Sequence, residues 1–250
     1  MNRVSGHGTK PLVLGHRGYR ARCPENTLRG FRAAFESGAD GVECDLQRTA
    51  DGRYVLIHDP STDRTAGQPG DLRTMGYDEL RQLDVGKGEH VPELGELLAA
   101  LPPGKYLDLE LKAETLTPED SGPIIDILAG RLDRGSLMIS SFEPALLAPF
   151  RGLGYAVGLI VGEKTVSLGA PALAALLFRL RPQWINLPIQ TIAVLGRKRA
   201  RRLFGVLRAL GLSLLFWTVN DAEDAEAVRD YARIIVTDEV ERIVSALSGG

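Results

Sequence analysis

Two histidines stand directly after short apolar runs, in His16-Arg17-Gly18 and in His58-Asp59. Two further short motifs, Glu43-Cys44-Asp45 and Glu110-Leu111-Lys112, carry ionisable side chains two residues apart. In an extended strand that spacing turns both side chains of a pair to one face. An imidazole can take and return a proton near neutral pH, which acid–base cleavage of an ester requires. Glu43, Asp45 and Glu110 offer hard oxygen ligands suited to one divalent cation, Mg2+ or Ca2+. With four histidines and no Cys-x-x-Cys pair in the chain, a typical zinc site is not expected. The alternative is that these acids pair with Arg17, Lys112 and other cations, as polar layers inside barrels do. Arg17, as a fork of donors, and Lys112, as a point charge, suit a phosphate. A phosphodiester anion and three carboxylates would then be balanced by the divalent ion, Arg17 and Lys112.

Side chains so far apart in sequence need a scaffold that gathers strand ends. Candidate strands are Leu12–His16, Gly41–Gln47, Tyr106–Leu111, Ser136–Ser141, Tyr155–Val161, Trp184–Leu187, Leu212–Val219 and Arg233–Thr237. Helical patterns run through Thr27–Ser37, Pro118–Leu132, Pro144–Leu153, Leu168–Leu180, Thr191–Leu210, Ala222–Tyr231 and onward from Glu239. Eight strands alternating with helices over 250 residues predict an α/β fold, a (β/α)8 TIM barrel, with reactive groups at the carboxyl ends of its strands. An open doubly wound sheet fits less well, because His16-Arg17-Gly18 replaces the Gly-rich turn expected after its first strand.

The interval between the second and third of these strands is too long for one helix. It predicts an insertion at about 48–105, a hairpin followed by a small helical cap (Thr74–Leu83 and Val91–Leu101). Asp51-Gly52 reads as a two-residue hairpin loop. Counting back from it pairs Ala50 with Arg53 and sets Asp45 opposite His58, with Glu43 on the same face and Cys44 and Leu46 turned into packing. The expected organisation is a polar tail at 1–10 and a single barrel domain at 11–250.

The composition, 44% hydrophobic and 25% charged with a net charge of −2, excludes collagen-like, disulfide-framework and wholly disordered chains. It exerts no global pull toward nucleic acid, so a nucleic-acid partner is not expected. No apolar run reaches the roughly 20 residues of a transmembrane helix. The first ten residues are polar, with no apolar segment behind their charges, which favours a cytoplasmic location. Cys23 and Cys44 read as structural thiols. The basic run Arg197–Arg202 and the apolar stretch Ala170–Phe178 leave peripheral contact with a membrane surface open. The oligomeric state is not indicated.

Seven motifs occur in order: His16-Arg17-Gly18, Pro24-Glu25-Asn26-Thr27, Glu43-x-Asp45, His58-Asp59, Glu110-x-Lys112, Ser141-Phe142 and Trp217-Thr218-Val219-Asn220. Together they resemble the glycerophosphodiester phosphodiesterase family, from about Leu12 to Val240; Trp184–Arg202 fits the pattern only loosely. The resemblance implies a barrel like that of phosphatidylinositol phospholipase C. It implies metal-dependent hydrolysis of glycerophosphodiesters to glycerol 3-phosphate and an alcohol such as choline or ethanolamine. His16 and His58 would be the acid–base pair, and Glu43, Asp45 and Glu110 the ligands of Mg2+ or Ca2+. Arg17 and Lys112 would hold the phosphate, Glu25 and Asn26 would support the site, and Trp217 would wall the substrate pocket. Two alternatives accompany that expectation: cleavage of lysophospholipid headgroups at a membrane surface, and a barrel that binds phosphodiesters without cleaving them.

Overall fold

Eight parallel strands close on themselves in the computed structural model, which describes residues 10–248. They are β1 (Leu12–His16), β2 (Gly41–Arg48), β4 (Tyr106–Leu111), β5 (Leu137–Ser141), β6 (Ala156–Ile160), β7 (Trp184–Pro188), β8 (Ser213–Trp217) and β9 (Ala232–Thr237). β1 pairs in parallel with both β2 and β9, which completes the barrel. A short strand, β3 (Tyr54–Leu56), lies antiparallel on the outer end of β2. The polar tail expected at 1–10 lies, apart from Lys10, outside the described residues.

The helices of the barrel ring are α1 (Leu28–Glu36), α5 (Ser121–Leu128), α6 (Pro144–Gly152), α8 (Gly169–Leu180), α10 (Arg197–Ala209), α11 (Ala222–Val228) and α12 (Val240–Ser248). Shorter ones are α2 (Asp63–Ala66), α3 (Tyr77–Leu80) and α4 (Leu94–Ala100) between β3 and β4, then α7 (Glu163–Ser167) and α9 (Thr191–Leu195). Thr27 caps α1, its side chain accepting from the Gly30 N–H, a contribution of about 1 kcal/mol. The single helix expected over Thr191–Leu210 is broken at Gly196, whose φ of 74° and ψ of 147° interrupt the helical hydrogen bonds. None of the helices among the described residues is long and apolar enough to cross a membrane.

Alternation along the strands divides the barrel into an outer apolar layer and a mixed interior. Val13, Val42, Cys44, Leu46, Leu107, Leu109, Ile139, Val157 and Phe216 pack outward against the helices. Leu14, Tyr106, Met138, Leu215, Ile234 and Val236 point inward and fill the amino-terminal end of the barrel. Above them the inward positions turn polar, so the strands bury acids and bases at their carboxyl ends instead of continuing the apolar plug.

The hairpin register differs from expectation by one residue. Leu46 pairs with Leu56 and Arg48 with Tyr54, and the Thr49 amide donates to the Arg53 carbonyl. The loop is therefore the three residues Ala50-Asp51-Gly52, with Gly52 at a φ of 85°, the left-handed position of a three-residue hairpin. Asp45 faces Ile57, whose amide donates to the Asp45 carbonyl, and does not face His58. A one-residue slip would turn His58 away from Asp45 if the strand continued. It ends at Leu56, however, and the chain curls so that His58 still enters the barrel mouth. The Gln47 side-chain amide donates to the His58 carbonyl at 2.8 Å and fixes that curl.

Candidate active site

Strand ends bring the ionisable groups to one cavity of about 250 Å3, lined by His16, Arg17, Glu43, His58, Glu110, Lys112 and Trp217 among others. His16 ends β1 and Arg17 follows it, with a φ of 52°, a left-handed conformation uncommon for any residue but glycine. In that conformation its backbone amide donates to Glu43 Oε2 at 3.0 Å. Glu43 and Asp45 come from β2, and Glu110 and Lys112 from β4 or just beyond it.

Glu43, Asp45 and Glu110 each place one carboxylate oxygen within 4.8 Å of the others. Two oxygens bound to one Mg2+ or Ca2+ at about 2.0–2.6 Å stand no more than about 4–5 Å apart, so the three side chains fit a divalent ion. Burial pushes the Glu43 carboxyl well above the usual carboxylate range, and the neighbouring charges of Asp45 and Glu110 push it further. Glu43 Oε1 is buried with no protein partner for its lone pairs. Burial also raises Glu110, to about 7, with Lys112 opposing and Asp45 adding to the rise. Burial works against the Asp45 charge as well, but Lys112, Arg17 and His58 outweigh it and hold that carboxyl below its ordinary value. Such crowding of acids, costly without a counterion, is what a cation would relieve.

The two expected phosphate-binding cations also serve the acids. Lys112 Nζ lies 2.9 Å from Asp45 Oδ1 and 2.5 Å from Glu110 Oε1. Arg17 Nε lies 3.1 Å from Asp45 Oδ2, and its Nη1 donates to Glu25 Oε1 at 3.0 Å. Glu25 and Asn26 thus stand behind the site: Asn26 donates from Nδ2 to Asp45 Oδ2 at 2.8 Å, and its Oδ1 accepts from the Asp45 amide. Burial would raise Glu25, but Arg64 and Arg17 hold it down at about 2.

His16 and His58 each have a carboxylate at Nδ1, and sequence reasoning assigned neither acid a role. His16 Nδ1 is 2.7 Å from Asp238 Oδ1, and His58 Nδ1 is 2.6 Å from Asp59 Oδ1. A carboxylate there favours the tautomer whose proton is on Nδ1 and leaves Nε2 for exchange with a ligand. His16 Nε2 lies 3.9 Å from Glu43 Oε2. Asp238 is fixed in turn by Asn220, whose Nδ2 donates to Oδ2 at 2.9 Å while its Oδ1 accepts from the Asp238 amide. Arg64, on α2, donates from Nε to Asp59 and from both Nη atoms to Glu25. Burial depresses the His58 imidazole, and Lys112 and Arg17 add to that against the opposing pull of Asp45. The adjacent His-Asp pair was a usable signal for Asp59. Asp238 had none beyond its place after the last strand.

Trp217 ends β8 and meets Phe142 edge to face, ring centroids 5.8 Å apart. Together they form the apolar side of the cavity opposite the carboxylates. Asp108, Ser140 and Asn186 line its depth, and none of the three was singled out from sequence.

The Glycerophosphoryl diester phosphodiesterase family model matches residues 16–242. A glycerophosphodiester phosphodiesterase of Caldanaerobacter subterraneus is 29% identical over 253 residues, covering 96% of this chain and 99% of the relative. Among solved structures, the glycerophosphodiester phosphodiesterase of Thermotoga maritima is 29% identical, with a TM-score of 0.81 over 96% of this chain and 99% of that one. An Oleispira antarctica phosphodiesterase, in complex with the product sn-glycerol-3-phosphate, is 26% identical with a TM-score of 0.82 over 96% and 98%.

Proposed function

The chain belongs to the glycerophosphoryl diester phosphodiesterase family, and we propose that it hydrolyses small glycerophosphodiesters, such as glycerophosphocholine and glycerophosphoethanolamine, to glycerol 3-phosphate and an alcohol. The observation that carries this reading is the pair of imidazoles on one cavity, each with a carboxylate at Nδ1. One histidine takes the proton of the attacking hydroxyl, either the glycerol 2-hydroxyl or water, through Nε2. The other gives a proton to the departing alcohol. Where the 2-hydroxyl attacks, the cyclic phosphodiester so formed is opened by water in a second step, with the two histidines in exchanged roles, which yields glycerol 3-phosphate and restores both rings. Where water attacks directly, glycerol 3-phosphate forms in one step and the rings regain their starting protonation from solvent. Asp238 and Asp59 hold the rings in the competent tautomer and stabilise the imidazolium that forms.

Glu43, Asp45 and Glu110 would hold one divalent ion, Mg2+ or Ca2+, with Asn26 and Arg17 steadying Asp45. When bound, that ion supplies Lewis-acid stabilisation of the non-bridging phosphoryl oxygens. Arg17 and Lys112 direct positive charge at the same oxygens, and their pairing with the acids keeps them fixed before substrate arrives. Trp217 and Phe142 close the apolar side and limit water.

The test is turnover of glycerophosphocholine by wild type, His16→Ala and His58→Ala, with and without chelator. Losing a general acid or base should cost on the order of 10^2–10^4-fold. Near-wild-type turnover in either variant, or full activity in chelator, would rule the scheme out.

A second reading concerns where the substrate lies. Phe142, Val166, Leu168 and Val194 are exposed in the segments that directly follow β5, β6 and β7, three successive strands of the barrel. They make an apolar crescent beside the mouth, with Lys164, Arg197 and Lys198 in the same segments. Such a rim suits a lysophospholipid presented at an anionic surface. Binding to phosphatidylserine vesicles at near-physiological salt, with lysolipid turnover above that of glycerophosphocholine, would favour this reading. Absence of vesicle binding would favour the water-soluble diesters.

A further inference from the structure

Beneath the carboxylate cluster the cavity ends in polar side chains that the scheme above does not use. Asn186, on β7, is 1% exposed yet lines the cavity, and no protein atom hydrogen-bonds to its Oδ1. Asp108 and Ser140, 2% and 0% exposed, line the same space, Ser140 Oγ donating to Asp108 Oδ1 at 2.6 Å. Burying an amide oxygen without a partner costs roughly 1–3 kcal/mol. Its place among inward positions otherwise filled by Met138 and Leu215 therefore calls for a ligand that repays it.

Gly158 on β6 keeps this end of the cavity open. A methyl group there would stand 2.8 Å from Met138 Sδ and 2.9 Å from Asn186 Oδ1, and would displace the amide. The chemistry of the ligand follows from the groups. An amide donates and accepts, and so does an alcohol hydroxyl. A choline headgroup presents only methyl groups and an ethanolamine ammonium only donors, so neither serves both ends of the amide. The mouth is different: Phe142 is 42% exposed there, and an open aromatic edge tolerates headgroups of varied size and charge.

We propose that Asn186, with the Asp108–Ser140 pair, forms a hydroxyl-binding subsite at the floor of the cavity that takes the glycerol end of the substrate and leaves the headgroup at the mouth. The proposal rests on the phosphodiesterase reading and deepens it.

The experiment titrates Mg2+-loaded wild type, Asn186→Leu, Asn186→Ala and Gly158→Ala with sn-glycerol 3-phosphate and with ethyl phosphate, which lacks the hydroxyls. Thermal melting identifies which variants fold; Asn186→Ala carries the comparison where Asn186→Leu does not. The expected result is a loss of roughly ten- to hundredfold in affinity for glycerol 3-phosphate, with ethyl phosphate changed less than about threefold. Equal losses for both ligands, or no loss for glycerol 3-phosphate, would overturn the subsite. Wild type that turns over glycerophosphocholine while its variants keep the same preference removes the subsite alone. Wild type that cleaves no diester and binds neither ligand removes the underlying reading with it.

Discussion

Replacing Asp238 by Asn changes a single atom and should reverse the tautomer of His16. Asn220 Nδ2 donates to Asp238 Oδ2 at 2.9 Å, while Oδ1 faces His16 Nδ1 at 2.7 Å. In the variant the position facing Asn220 must remain an acceptor, so the new NH2 group falls at the position facing His16. A donor there drives the imidazole proton to Nε2, and the ring can no longer accept a proton at that atom in the step where it serves as base. The expected fall in kcat is on the order of 10^3–10^4-fold, about 4–5 kcal/mol at the transition state, with KM within about threefold. Asp238→Ala removes the acceptor without forcing the tautomer, so it should lose less, on the order of 10^2-fold. Stability responds separately. Burial would raise Asp238, but its bonds to His16 and Asn220 and the Arg20 charge hold it at about 2 rather than 3.8. A depressed folded value means stabilisation present above the unfolded pKa and lost as pH falls toward the folded one. Either variant should therefore cost about 2 kcal/mol near pH 7, a fall in Tm of roughly 5 °C. The assay is steady-state hydrolysis of glycerophosphocholine at fixed Mg2+ across pH 6–9, with melting curves alongside. A folded Asp238→Asn enzyme within about fivefold of wild-type kcat, or one more active than Asp238→Ala, would refute the reasoning.

Glu110→Gln should raise the Mg2+ concentration for half-maximal activity by roughly tenfold or more, since one charged ligand is lost; an unchanged titration would remove Glu110 from the ion site. Arg64→Ala should lower kcat by roughly tenfold or more through a loosened Asp59–His58 pair, read from kcat against KM; an effect on KM alone would show that Arg64 does not act through His58. Glu25, held at about 2 against an ordinary 4.5, contributes stability above the unfolded value that disappears as pH falls from about 4.5 toward 2, at most about 3 kcal/mol. Glu25→Gln should therefore flatten the acid side of the Tm–pH curve, and a curve parallel to wild type would contradict the assigned Arg64 and Arg17 contacts.

The barrel was legible because its cues are local. Each parallel strand is a short apolar run bounded by turn residues, and β1 and β4 lie where Leu12–His16 and Tyr106–Leu111 were expected. The hairpin shows where local cues mislead. Asp51-Gly52 serves a two-residue loop and a three-residue loop alike, because both need a left-handed Gly, and only the partner strand decides. Glu43, Asp45 and Glu110 could be grouped from their strand-end spacing, and they do converge. Asp238 could not be assigned to His16: the two lie 222 positions apart, and nothing in either neighbourhood specifies the other. Asn186 was equally hidden. A lone Asn inside an apolar run looks like a strand residue of no consequence until the cavity beside it is seen.

The hairpin that supplies His58 leaves the barrel and returns, so the two proton carriers of the proposed reaction rest on different supports within one polypeptide: one belongs to the cylinder, the other stands on an excursion of nearly sixty residues. A cylinder shorn of that excursion would keep its acids and one imidazole and have nothing to complete the proton circuit. On this scaffold, holding a phosphodiester and breaking it, as proposed, thus depend on different parts of the chain, and only the second needs the detour.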